Sequence, residues 1–168
     1  TTINIDVIHS FYFYAIIYSF LTIAVFSFLM LIKNNGNKDK YDISNLAGLS
    51  KTYPILAFLF ASLMFSLAGI PPMIGFFSKF YILNSIISTS KTFYDYLLPV
   101  SMIIYSTIAA FYYLRIVKIM YFDDVSKNIT IDDKNKLAIL VFSILSLLSI
   151  LALFFIDYVT VILTRTLY

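Results

Sequence analysis

The chain has 168 residues and a formal net charge of +3; 61% of its residues are hydrophobic and only 12% charged. Soluble domains hold roughly 45–50% apolar and about 25% charged residues, and a water-soluble fold this small has too little interior for the excess. The sequence is that of a membrane protein. With no Cys and His9 as its single His, it excludes disulfide scaffolds, Cys-ligated zinc, iron–sulfur clusters, thiol catalysis, His-rich metal cages and an axial His pair for haem. Its basic residues lie in loops rather than on one face, so nucleic acid is not expected as a partner. All nine acids are Asp, and Ile, Phe and Tyr make up a third of the chain. This bias, together with Lys and Asn, suggests AT-rich coding and hints at an organellar genome. The chain opens Thr1-Thr2-Ile3, and its first apolar stretch lacks the basic n-region and small-residue cleavage site of a signal peptide. The expectation is that residues precede Thr1 or that the chain is one piece of a larger machine.

Four stretches contain no charged residue: 11–32, 52–78, 96–114 and 137–156, of 22, 27, 19 and 20 residues. About 20 apolar residues at 1.5 Å each cross a hydrocarbon core of roughly 30 Å, so each qualifies as a spanning helix. Barrel strands would be about 10 residues long with polar alternation, which is absent. The expected fold is all-α, a single polytopic transmembrane bundle over 1–168, with spans near 9–32, 54–88, 97–119 and 136–160.

Between the first two spans, residues 33–41 read as a polar connector, and Ile43, Leu46 and Leu49 predict one short interfacial helix before Pro54. The second span is unusual. From Pro54, a favoured first-turn residue, apolar character runs to Ser88, interrupted only by Lys79; as one straight helix this would be about 52 Å long. It contains Gly69-Ile70-Pro71-Pro72 and then Gly75. Two prolines in succession remove two backbone donors and clash with the preceding turn, so a break near 69–75 is expected, giving either one discontinuous crossing or two short helices that turn back. Charge separates these. With one crossing, Lys33, Lys38, Lys40, Lys51, Arg115, Lys118, Lys127, Lys134 and Lys136 share a side against Lys91 and Arg165, 9 to 2; with two crossings the ratio is 6 to 5. Positive charge collects on the non-translocated side, which favours one broken crossing and four spans in all.

Arg115 and Lys118 read as inner-face anchors of the third span, and Tyr112, Tyr113 and Tyr121 as an aromatic belt at the same end. The doublets Asp123-Asp124 and Asp132-Asp133 lie among lysines without a fixed oxygen cage, so a solvated loop is favoured over a metal site. His9 and Asp157 flank the first and last spans and read as interfacial residues before proton groups. Ser66 and Ser78 are candidates for helix–helix hydrogen bonds, with packing as the alternative.

Lys79 is the one base deep inside an apolar segment, nine residues before Ser88 and hence about 13 Å from the helix end. A cation at that depth is costly unless paired, hydrated or deprotonated, so it is a candidate proton relay. The competing reading is a structural lysine that snorkels to the headgroups. Irregular backbone at membrane depth is tolerated only where it is protein-buried or lines a wet cavity, and transporters place such breaks beside ion paths. Lys79 lies within eight residues of Pro71 and Pro72, and this proximity favours the relay.

The runs Asn45-Leu46-Ala47-Gly48-Leu49, Pro54-Ile55-Leu56-Ala57, Phe65-Ser66-Leu67-Ala68-Gly69-Ile70-Pro71-Pro72-Met73-Ile74-Gly75-Phe76-Phe77-Ser78-Lys79-Phe80-Tyr81 and Tyr112-Tyr113-Leu114-Arg115-Ile116-Val117-Lys118-Ile119-Met120-Tyr121 resemble the C-terminal part of subunit 2 of NADH:ubiquinone oxidoreductase (respiratory complex I), of the antiporter-like membrane subunits. The resemblance implies a discontinuous helix with Lys79 as proton relay and Gly69, Pro71, Pro72 and Gly75 at the break. It also implies a mitochondrial inner-membrane location and a role in proton pumping driven by NADH oxidation. No cofactor or metal is implied in this chain; NADH, FMN, iron–sulfur clusters and ubiquinone would be used by other subunits. Partners implied are the other membrane-arm subunits, lipids and a separately encoded N-terminal half of the same subunit. A cation/proton antiporter subunit and a structural, non-conducting fragment are the alternatives.

Overall fold

The computed structural model describes residues 5–32, 42–125, 130–131, 135–152 and 154. Among the described residues the fold is carried by α1 (Ile5–Leu31), α2 (Leu49–Thr52), α3 (Pro54–Ala68), α4 (Ile74–Thr89), α5 (Leu97–Phe122) and α6 (Lys136–Leu151), with 3₁₀ turns at Ile43–Leu46 and Phe93–Tyr96. The two long helices, Ile5–Leu31 and Phe93–Phe122 with its leading turn, are long and apolar enough to cross a membrane; Pro54–Ala68 and Lys136–Leu151 are apolar but shorter. α1 begins four residues before the expected span, α5 ends three residues beyond it, and the end of the expected fourth span, Asp157 included, lies outside the described residues.

Three helix starts have a local reason. Pro54 opens α3, where its missing N–H would have had no intrahelical partner. Asn135 caps α6 by accepting from the Ala138 N–H at 3.2 Å. Before α5, the Asp95 carboxylate accepts from the backbone N–H groups of Lys91 (2.9 Å) and Thr92 (2.8 Å), closing a capping box with Thr92. The single interfacial helix expected around Ile43, Leu46 and Leu49 is instead two short pieces separated by Gly48. Leu46 and Leu49 are buried while Ile43 stays exposed, and the Gly48 N–H donates to the Ile119 carbonyl of α5 at 3.3 Å. This segment is therefore held against α5.

Three phenylalanines meet within a mostly aliphatic core. Phe28 of α1 stacks on Phe60 of α3 with ring centroids 4.0 Å apart and lies 5.3 Å from Phe142 of α6; all three side chains are fully buried. Farther along α1, toward its N-terminus, Ile17, Phe20 and Leu21 share a cavity of about 180 Å³ with Ile74, the first residue of α4, and with Leu145, Leu148 and Ser149 of α6. Farther still, Phe13 meets Tyr81 of α4 edge-on at 6.1 Å. Contacts from Phe28 back to Phe13 thus meet residues 60, 74 and 81 in rising order, so α3 and α4 together run antiparallel to α1. The C-terminal end of α1, the 42–53 segment, the C-terminal end of α5 and the start of α6 gather at one end of the bundle, joined by the Ile32–Ile131 bridge and the Gly48–Ile119 bond.

Candidate functional site: the junction of α3 and α4

α3 stops at Ala68 because Gly69 adopts a left-handed conformation, φ 80° and ψ 40°, which glycine accepts without steric cost. The Gly69 N–H returns to the carbonyls of Phe65 and Ser66, and the Ile70 N–H to Phe65, the pattern of a Schellman turn. Residues 69–73 are non-helical, and their Pro71–Pro72 peptide is cis. In a continued helix the carbonyls of Leu67 and Ala68 would accept from residues 71 and 72. Both are prolines without an N–H, so the turn leaves the end of α3 with free acceptors.

Lys79 fills one of them. Its Nζ donates to the Leu67 carbonyl at 2.7 Å, a charge-assisted bond to the negative end of a helix dipole. Its aliphatic stem crosses Gly69 so closely that a Cβ there would lie 3.2 Å from Cδ and 3.3 Å from Nζ. Lys79 is half-buried. Its level falls between Ile74 and Tyr81, hence between Ile17 and Phe13 of α1 and about one turn from the middle of that helix.

The start of α4 is completed from α3 in return. Met73 precedes it and offers no side-chain cap. The fully buried Ser66 hydroxyl accepts instead from the Gly75 N–H at 3.1 Å. The helix ends overlap side by side, and a Cβ on Gly75 would coincide with the Ser66 carbonyl, so no other residue fits there. The buried Ser78 hydroxyl turns back to the Gly75 carbonyl at 3.0 Å.

Of the sequence candidates, the structure brings Gly69, Gly75, Ser66, Ser78 and Lys79 together; Pro71 and Pro72 lie exposed at the turn. One placement differs from expectation: Gly75 is helical, within the first turn of α4, and serves close approach rather than the break. Leu67 was missed, because its role belongs to its carbonyl. The readable signal was a proline four residues on. His9, Arg115 and Lys118 are exposed on their helices, away from this junction. Tyr112 is exposed, and Tyr113 is half-buried with Tyr18, at the midpoint of α1, beside it. Asp123 and Asp124 follow α5, and Asp132 and Asp133 lie outside the described residues. Among the described residues no group of three or more metal-ligating side chains forms.

Comparison with known proteins shows the family. Residues 1–97 match the family described as NADH:quinone oxidoreductase/Mrp antiporter, TM. The chain is 46% identical over 112 residues to NADH-quinone oxidoreductase subunit N of Pelagibacter ubique, which covers 66% of the chain and 22% of that protein. It is 41% identical over 111 residues to subunit N of Paramagnetospirillum magneticum and 46% identical over 111 residues to that of Beijerinckia indica, again covering 66% of the chain and 22% of each relative. The chain therefore spans only 22% of the length of these relatives. With more than half of its residues matched, the chain belongs to the NADH:quinone oxidoreductase/Mrp antiporter transmembrane family.

Proposed function

We propose that this chain forms part of a membrane-arm subunit of a proton-pumping NADH:quinone oxidoreductase, with Lys79 as a proton relay on a discontinuous membrane crossing. The observation that carries the reading is the Lys79 ammonium at the free C-terminal carbonyl of α3, at mid-height in the bundle. A lysine there has an acceptor without a snorkelling side chain, and the freed backbone beside it is the kind of polar lining on which ion paths are built.

Four crossings follow, with α3 and α4 sharing one. The rising order of contacts along α1 and the gathering of the 42–53 segment with the C-terminal end of α5 support this count. So does the 9-to-2 distribution of basic residues. The residue bias favours the mitochondrial inner membrane, with 33–53 and 119–136 on the matrix side. Partners are the other membrane-arm subunits, the remainder of the subunit that the relatives possess, and lipid. NADH, FMN, iron–sulfur clusters and ubiquinone are used elsewhere in the complex. The family description also covers Mrp antiporters, but the relatives' names favour the oxidoreductase.

The test is proton stoichiometry in the assembled complex. Lys79→Ala and Lys79→Met lower the protons moved per NADH, while NADH oxidation by artificial acceptors survives. Lys79→Arg does not restore the ratio, because a guanidinium keeps its proton at any reachable pH. Assembled Lys79→Ala complex that pumps at the wild-type ratio and rate overturns the relay, and sodium-dependent transport in its place turns the reading to a cation antiporter.

A further inference from the structure

The two halves of the junction cap each other: a side chain of α4 supplies the donor that finishes α3, and a side chain of α3 supplies the acceptor that starts α4. We propose that this reciprocal capping is a latch whose Lys79 half depends on charge, so that the proton carried by Lys79 and the geometry of the α3–α4 junction are coupled, with Ser66 as a positioning residue for the lysine. The inference rests on the relay reading above for its functional meaning, but its geometry stands on the junction alone.

Three features carry it. First, the Leu67 carbonyl is available because the Gly69 turn leaves the helix and a proline stands where its donor would be. A carbonyl at this depth has no water to fall back on unless the site is wet, so the lysine is its satisfying partner. Second, the bond is charge-assisted and lies at the negative end of the α3 dipole. A neutral amine keeps a donor but loses the charge assistance and the dipole attraction, each a substantial part of such a bond. Third, α4 is held in register by groups that tolerate little slack: Ser66 is fully buried, its hydroxyl is bound to Gly75, and Gly75 has no room for a Cβ. A shift of α4 that releases Lys79 from Leu67 therefore also strains the Ser66 cap.

The coupling gives the junction two arrangements. With Lys79 charged, both caps are made and the half-helices are locked side by side. When the proton leaves, the Lys79 cap weakens, the 69–76 backbone loosens and the side chain is free to swing from the end of α3. A mobile proton site thus alternates between a held and a released position without any other group having to move it.

Amide deuterium exchange, read by mass spectrometry on peptides spanning 66–79 in the assembled complex, tests this independently of pumping. Lys79→Met raises exchange at residues 69–76 about tenfold over wild type, whereas Lys79→Arg, which keeps charge and donor, stays within about twofold; local opening is read this way because exchange reports its free energy. Ser66→Ala keeps Lys79 and raises exchange at Gly75 and Phe76. Wild-type exchange in assembled Lys79→Met overturns the latch, as does equal loosening by Met and Arg. If Lys79→Met does not assemble, Ser66→Ala reads the same junction from its other half, and wild-type exchange there overturns the latch equally. The two readings fail separately: a loosened junction with wild-type pumping in Lys79→Met removes the relay and leaves the latch, while a tight junction with lost pumping does the reverse.

Discussion

α5 and the α3–α4 pair solve the same problem in different ways. α5 runs unbroken for 26 residues, so its interior backbone groups are satisfied within the helix, and most of its surface is free to face lipid or neighbouring helices. Along its exposed face the side chains are mostly apolar and make no bond that another element depends on. The α3–α4 pair gives up that self-sufficiency for five residues, 69–73. Its polar ends must find partners across the junction, and they do so through individual atoms: the Leu67 carbonyl, the Lys79 ammonium, the Ser66 hydroxyl and the Gly75 N–H. Burial follows the same division. Ser66 and Ser78 are fully buried, while Ile103, Ile104, Ile108 and Phe111 of α5 are exposed. A continuous helix tolerates substitution because hydrogen bonding is local; a discontinuous one is intolerant wherever a bond spans the gap.

Substitutions scaled by this contrast should break the junction and leave α5 intact. The largest effect is expected for Gly75→Val. Its Cβ would clash with the Ser66 carbonyl, and overpacking against backbone, which cannot rotate away, costs about 3 kcal/mol, the upper end of the usual range. Native gels of membranes should show the assembled complex lost or nearly so; normal amounts would mean that the helix ends do not overlap as described.

A smaller loss is expected for Gly69→Ala, which must hold a left-handed φ of 80° at about 1–2 kcal/mol and presses on Lys79. Thermal stability of the purified complex should fall, and the proton ratio should fall with it. A ratio at the wild-type value would show that Lys79 does not need the space above Gly69. Ser66→Ala comes next, removing one buried cap for about 1 kcal/mol; its thermal midpoint should drop without any change in NADH oxidation by artificial acceptors. Smallest of all is Thr107→Val on exposed α5. It removes a hydroxyl bonded to the Ile103 carbonyl of its own helix at 2.9 Å, and its effect on the same midpoint should stay within about 0.5 kcal/mol. If Thr107→Val were as damaging as Ser66→Ala, the contrast between the two regions would not hold.

What the sequence determined by itself is what depends on composition and on neighbours along the chain. Excess apolar residues and missing charges decide for a membrane protein, because no small soluble core can hide them. Pro54 starts a helix, and Gly69 with Pro71 and Pro72 ends one, through sterics and missing donors that act within a turn or two. Lys79 stood out for the same reason: it is a charge with only apolar neighbours in sequence. Tertiary structure decided the rest. That Gly75 is helical and exists for close approach, that Ser66 caps a helix nine residues away and that Lys79 finds its partner in a backbone carbonyl all depend on the direction in which α4 leaves the 69–73 turn. That direction is set by packing against α1, whose residues are distant along the chain, and a hydrogen bond is made or lost within a few tenths of an ångström. Local propensity fixes where the helix is interrupted, while the atoms that mend the interruption are chosen by the packing.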